Sequence, residues 1–180
     1  MTEYYLDIET YSPTGKPDLE QDKIITIQFQ ELSTREGHPQ GELVIVSEWH
    51  SGSEEALLDE FRQRFLTGGS FDFIPIGLNL YGFDLILIIR RLNKYFNLQL
   101  GMDFFRTRPV IDIKPILVIM NGGMFKGYDR LLGKTESGAL IRKWYEERKY
   151  DEIERYIREE ADNFIKKYQT LKTQIPQIKL

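Results

Sequence analysis

Along the first 50 residues, apolar positions come in alternating or continuous short runs instead of at helical spacing. "EYYLDIETYS" is rich in β-branched and aromatic residues and ends at the turn cluster "SPTG", which predicts a strand. "KIITIQFQE" and "GELVIVSEW" follow with period-two or continuous apolar character, so two more strands are predicted, completing an antiparallel meander. The period then changes. "SEEALLDEFRQRFL" has helical spacing, with Ser53 placed as N-cap and acids in the first turn. "GGSFDFIPIGLN" reads as a turn and a short buried strand, and "GFDLILIIRRLNKYFN" as a helix packed on a sheet face. "RPVIDIKPILVIM" predicts a last strand running into a helix, with Asp112 as cap and Pro115 in the first turn. "YDRLLG", "SGALIRKWYEERK" and the segment from residue 150 to about 172 predict helices joined by glycine-containing turns.

Strands cluster early and helices late, which predicts an α/β fold: a mixed five-stranded sheet with an antiparallel N-terminal meander, flanked by helices and ending in a helical part. A chain of 180 residues with 41% hydrophobic content is long enough for one substantial core. One domain is expected over residues 1–173, followed by a loose tail at 174–180, "QIPQIKL". With no cysteine and two histidines, His38 and His50, thiolate metal sites and disulfides are excluded and a zinc site is not expected. The N-terminus has acids where a signal peptide needs a basic start, and no stretch approaches the ~20 apolar residues of a membrane span. The expectation is a soluble, cytoplasmic protein with no membrane partner.

The net charge of −4 is unevenly spread: residues 1–90 carry 6 Lys/Arg against 16 Asp/Glu, and residues 91–180 carry 18 against 12. An acidic half beside a basic half suits a metal-binding centre next to a polyanion track, and equally suits ordinary solvated surfaces. The chemistry that separates these readings starts at Asp7 and Glu9. Two apart in a predicted strand, they leave the same face with Cα atoms roughly 7 Å apart. Like charges on one face of an apolar strand call for a hard divalent cation such as Mg²⁺ or Mn²⁺, unless that face is simply exposed. Asp84 heads a predicted helix, where its charge favours the helix N-terminus. Asn79 and Gly82 just before it shape a strand-to-helix turn that brings the acid over the end of the sheet, where open α/β sheets place ligands.

"YLDIET" resembles the first motif, Asp-x-Glu-Thr, of the DEDD superfamily of 3′–5′ exonucleases, and "IGLNLYGFDLILIIRRL" is similar to its second, a small residue and Asn followed by Phe-Asp. The third motif of the tyrosine subclass, Tyr-x-x-x-Asp on a late helix, resembles "YIREE", with Tyr156 and Glu160. The pattern looks most like the proofreading exonuclease domain of family-B DNA polymerases and its stand-alone relatives. "IDIKPIL" and "FKGYDRLLG" lie between the second and third motifs as in that family, so the resemblance spans roughly residues 3 to 170. It implies an RNase H-like fold and hydrolysis assisted by two divalent ions, Mg²⁺ or Mn²⁺, about 4 Å apart, held by Asp7, Glu9, Asp84 and Glu160. Tyr156 is implied to orient the attacking water; with an ordinary pKa near 10 it is a poor base itself. The histidine subclass fits less well, because five residues before Glu160 and Asp162 stand Arg155 and Ile157.

Where the family has Asp, this chain offers Glu159, Glu160 and Asp162. Ile153, Tyr156, Ile157, Phe164 and Ile165 form an apolar stripe that contains Glu160. Asp162 lies about 200° further round, with Arg158 four residues earlier as its expected surface partner, and Glu159 about 100° off the stripe's centre. Glu160 is therefore preferred over Asp162, since a carboxylate in an apolar stripe is costly unless paired or metal-bound. Thr10, Asn79, Phe83 and Lys126 are candidate substrate contacts by the same resemblance, although Thr10 also suits a strand and Phe83 a core. Lys114, Arg130 and Lys134 are candidate phosphate contacts, and Asp112 is preferred as a helix cap. "GYDRLLGKT" fails as a phosphate-binding loop, having five residues between its glycines where four are needed. The expected partner is single-stranded nucleic acid, DNA in preference to RNA, with replication or repair proteins as further partners. The rival expectation is a nucleic-acid-binding or polymerase-accessory module of the same fold with weakened catalysis.

Overall fold

The N-terminal runs pair as their alternation requires: β1 (Thr2–Tyr11) lies antiparallel to β2 (Lys23–Leu32), which lies antiparallel to β3 (Val44–Ser47). The computed structural model describes residues 2–67, 70–71, 73–101, 109–132 and 138–175. After β3 come a single helical turn, α1 (Glu48–Ser51), and α2 (Glu54–Phe65), whose N-cap Ser53 accepts a hydrogen bond from the Ala56 amide at 3.1 Å. A small hairpin of β4 (Leu66–Thr67) and β5 (Ser70–Phe71) precedes β6 (Phe73–Gly77), which runs parallel to β1. Helix α3 (Asp84–Phe96) leads toward β7 (Ile111–Asp112), parallel to β6. Helix α4 (Lys114–Met120), a 3₁₀ turn (Tyr128–Leu132), α5 (Ala139–Glu146) and the long α6 (Tyr150–Gln174) complete the described chain.

The sheet order is β3-β2-β1-β6-β7, the mixed five-stranded sheet predicted from the pattern. Strand period two splits β1 between two cores. Leu6 and Ile8 pack with Leu57 and Phe61 of α2 and with Leu85 and Ile88 of α3. On the opposite face, Tyr5 packs with Phe164, Ile165 and Tyr168 of α6, and Ile25 packs with Ile153, Tyr156 and Ile157 of the same helix. Helix α6 is tied down at its far end as well, where buried Glu3 accepts from the Tyr168 hydroxyl at 3.0 Å and pairs with Lys172. The apolar stripe of α6 thus covers one sheet face and places any polar residue within the stripe over β1.

Several boundaries differ from the pattern. "GELVIVSEW" gives only four strand residues, because Glu48–Ser51 turn into a helix whose Glu48 carboxylate pairs with Lys23. "YDRLLG" forms a 3₁₀ turn in place of a helix, and the β4–β5 hairpin carries no clear alternation in sequence. The N-cap of α4 is Ile113, one residue after Asp112, with Pro115 in the first turn as expected. Helix α6 includes Gln174, the first residue of the expected tail, and residues 176–180 lie outside the described residues. Among the described residues no helix is long and apolar enough to cross a membrane.

Candidate active site

The odd-numbered residues of β1 that follow Glu3 and Tyr5 on the α6 side are Asp7 and Glu9. Helix α6 crosses over them with Glu160, and one carboxylate oxygen from each of Asp7, Glu9 and Glu160 lies within 4.8 Å of the others. Helical phase accounts for this meeting: Ile157, Ala161 and Phe164 are buried in the stripe, and Glu160 sits half-buried among them. Asp162 is exposed and shares a surface pocket with Arg158, whose ion pair is with Glu154 at 3.9 Å and not with Asp162 as expected. Glu159 is also exposed and accepts from Arg155 at 2.8 Å. Of the three acids in this part of α6, the structure brings Glu160 to the β1 pair.

Asp84 arrives from the other direction. It is the first residue of α3, 5% exposed, and with Asp7 and Glu160 it lines a cavity of about 230 Å³. Tyr5, Leu78, Asn79, Phe83, Leu132, Asn163 and Phe164 complete the wall. The turn that delivers Asp84 is tightly built. Gly77 has no room for a side chain, since a Cβ there would lie 2.6 Å from the Leu6 carbonyl oxygen and 2.7 Å from Leu80 Cδ2. Asn79 has φ of 62°, a left-handed conformation that Asn tolerates better than most residues, and a Cβ on Gly82 would collide with its Oδ1.

Asp112 fixes this turn from the neighbouring strand. Its Oδ1 accepts from the amides of Asn79 at 2.9 Å and Lys114 at 3.0 Å, and its Oδ2 from the Tyr81 amide at 3.2 Å. Capping was expected of Asp112, and it does hold a first-turn amide of α4, but it also clamps the loop before Asp84. Lys114, a candidate phosphate contact, donates to Asn79 Oδ1 at 2.6 Å.

Tyr156 is 3% exposed, and its hydroxyl lies in the field of the Glu160 and Glu9 carboxylates. Burial, reinforced by the charges of Glu9 and Glu160, pushes that hydroxyl far above the usual tyrosine range and keeps it a protonated donor. Gly138 approaches it closely: a Cβ there would be 3.5 Å from the hydroxyl oxygen. Tyr5, fully buried, is pushed up in the same way by desolvation and then by the charges of Asp7, Glu160 and Glu9. The donors gathered here are all oxygens, carboxylate and phenol, the set that hard divalent ions select.

The remaining candidates fall outside this cluster. Thr10 follows Glu9 at a break in strand register and does not join the cavity wall. Lys126 sits on the exposed loop after α4, its carbonyl accepting from Asn121, and Arg130 is exposed on the 3₁₀ turn. Lys134 lies outside the described residues. His38 and His50 are bound up with Gln169 and Ser47 at 3.1 and 2.8 Å, away from the acids. Tyr5 and Asn163, not among the expected site residues, share the faces of Asp7 and Glu160 at spacings of two and three residues. Thr26 and Gln28, also not expected, are both fully buried, and two polar residues two apart in the apolar centre of β2, Ile24–Phe29, are the signal for them.

No family model and no curated protein sequence matches the chain. Solved structures do. The family B DNA polymerase from the hyperthermophilic archaeon Pyrobaculum calidifontis matches 98% of this chain and 25% of its own, with a TM-score of 0.66 and 15% identity. A structure of exonuclease I in complex with the inhibitor BCBP matches 70% of this chain and 31% of its own, with a TM-score of 0.51 and 13% identity. Exonuclease I from Methylocaldum szegediense matches 70% of this chain and 30% of its own, at a TM-score of 0.49 and 16% identity. The chain spans about a third or less of each of these proteins. The fold is RNase H-like, as in the family B polymerase structure.

Proposed function

We propose that this chain, an RNase H-like fold with acids from β1, α3 and α6 converging on one cavity, is a metal-dependent 3′–5′ exonuclease acting on single-stranded DNA ends. The observation that carries this reading is the meeting of Asp7, Glu9 and Glu160 within 4.8 Å over the sheet. Three carboxylates so close together repel one another unless cations or protons hold them, and their oxygens match Mg²⁺ or Mn²⁺. Asp7, Glu9, Asp84 and Glu160 would hold two such ions. Bound there, divalent ions supply charge stabilisation at phosphoryl oxygens and acidify water near neutral pH.

The chain's own residues do the remainder. Tyr156, held protonated, offers its hydroxyl to orient a water or a phosphate oxygen beside Glu160. Phe83, half-buried at the cavity, presents an aromatic face against which a terminal base stacks without sequence preference. A space of about 230 Å³ lies below the ~300–1,000 Å³ of ordinary ligand pockets, which favours one terminal unit of a chain over a duplex. The excess of Lys and Arg in residues 91–180 attracts the polyanion that follows. The likeness to a family B DNA polymerase supports DNA as the polymer, and attack from the 3′ end is what the motif resemblance implies.

The test uses 5′-labelled single-stranded DNA and RNA oligomers with Mg²⁺ or Mn²⁺, comparing the wild type with Asp7→Ala. A ladder that shortens from the 3′ end of DNA and disappears in the variant is expected. Faster shortening of RNA would reassign the substrate, and binding without shortening would make the chain an accessory module.

A further inference from the structure

We infer that Gln28 and Thr26 of β2 form a buried relay that sets the orientation of the Asp7 carboxylate for cation binding, an inference that rests on the metal reading of the site. Asp7 stands directly opposite Gln28 in the β1–β2 ladder, and Glu9 opposite Thr26. Cross-strand partners share a face, so all four side chains lie on the α6 side of the sheet. Gln28 Nε2 donates to Asp7 Oδ2 at 3.0 Å, and Gln28 Oε1 accepts from the Thr26 hydroxyl at 3.0 Å. Both relay residues are 0% exposed.

The direction of the relay is fixed by chemistry. A carboxylate only accepts, so the Gln28 amide must turn its NH₂ to Asp7, and its oxygen then faces Thr26. The threonine hydroxyl, which donates as well as accepts, satisfies that oxygen and holds the amide in place. Without Thr26 the buried oxygen would lose its donor, at a cost that favours flipping or withdrawing the amide. The Tyr5 hydroxyl adds a second, longer bond to the same Oδ2 at 3.3 Å. Asp7 is thereby held on one oxygen, Oδ2, by Gln28 and Tyr5.

A register break lies next to the relay. Glu9 pairs with Thr26, while Thr10 pairs with Ile24, so Ile25 is left out of the ladder. The bulge lets consecutive residues point to the same side: Ile25 packs against α6, and Thr26 reaches Gln28. A regular strand would send Ile25 to the opposite core, whereas Thr26 and Gln28, two residues apart, share a face by ordinary alternation. Packing needs nothing from the hydroxyl of Thr26 or the amide of Gln28, and two buried polar groups in an apolar strand are costly in the absence of their bonds. Gln28 and Thr26 are positioning residues.

Mn²⁺ affinity of the folded, full chain, measured by electron paramagnetic resonance or calorimetry without nucleic acid, tests the relay. Gln28→Leu is expected to weaken Mn²⁺ binding about 10–100-fold, the usual effect of losing a group that orients a metal ligand. Thr26→Val, nearly the same shape, is expected to weaken it less, and Thr26→Ser to restore wild-type affinity. Wild-type Mn²⁺ affinity in folded Gln28→Leu overturns the inference. If Gln28→Leu does not fold, unchanged affinity in Thr26→Val does the same. Failure of the metal reading itself is distinguishable, because the wild type would then bind no Mn²⁺ at this site.

Discussion

Glu160 is the residue on which the proposed chemistry most depends, because it stands where the resembled motif has Asp. Its side chain starts from a helix that packs on the sheet through Phe164 against Tyr5 and through Tyr156 and Ile157 against Ile25. Glu160→Gln keeps the shape but removes the charge and is expected to lower cleavage by at least about 100-fold, the scale of a lost transition-state contact. Asp162→Asn, on the exposed side, is expected to leave the rate within about 2-fold. A steady-state comparison of the two variants checks the assignment, and the reverse order would move the fourth acid to Asp162. Phase along α6 was readable from the apolar stripe, since 3.6-residue periodicity places Glu160 inside it. The roles of Tyr5, Asn163, Thr26 and Gln28 were not, because they depend on which neighbouring element each residue meets.

At the level of elements, two clamps hold the helices to the sheet, and each has a weak point. Asp112 joins β7 to the turn before α3, so losing it would release Asn79 and with it the start of the helix that carries Asp84. On the other face, Glu54 at the start of α2 is a buried hub. It accepts from the Ile24 amide at 2.8 Å and the Tyr95 hydroxyl at 2.7 Å, and Arg91 lies 3.3 Å away. Arg91 also reaches the Asp22 carbonyl, so this hub ties α2 and α3 to β2. Glu54→Ala is expected to cost about 3–5 kcal/mol, since it leaves a buried guanidinium without its charge partner. Urea denaturation should show the loss in both folding midpoint and cooperativity. Residual cleavage per folded molecule should stay near wild type, because the hub lies on the sheet face away from Glu160. The short elements escaped the pattern for a physical reason: a two-residue strand or a 3₁₀ turn has no full period to display.

For the molecule as a whole, the proposed metal centre predicts a stability that depends on cation. A ligand that binds only the folded state adds about 2.7 kcal/mol at 100 times its dissociation constant. For a chain of this length that is a rise of about 5–10 °C in melting temperature. Wild-type protein is expected to show such a rise with Mn²⁺ or Mg²⁺ over chelator. Glu9→Gln, which removes one carboxylate from the triad and relieves its repulsion, is expected to melt higher in chelator and to respond less to cation. An equal response in both proteins would separate cation binding from the triad.

The sequence by itself determined what local physics can write into a chain. Period-two and 3.6-residue patterns set the elements and their order. The two-residue spacing placed Asp7 and Glu9 on one strand face, and the apolar stripe selected Glu160. Only the tertiary structure decided what those faces met. Strand register put Gln28 opposite Asp7 and Thr26 opposite Glu9, a bulge turned Ile25 toward α6, and the packing of α6 over the sheet closed the distance to Glu160. Such partners are set by register and packing between segments more than 20 residues apart in the chain, and no local period records them.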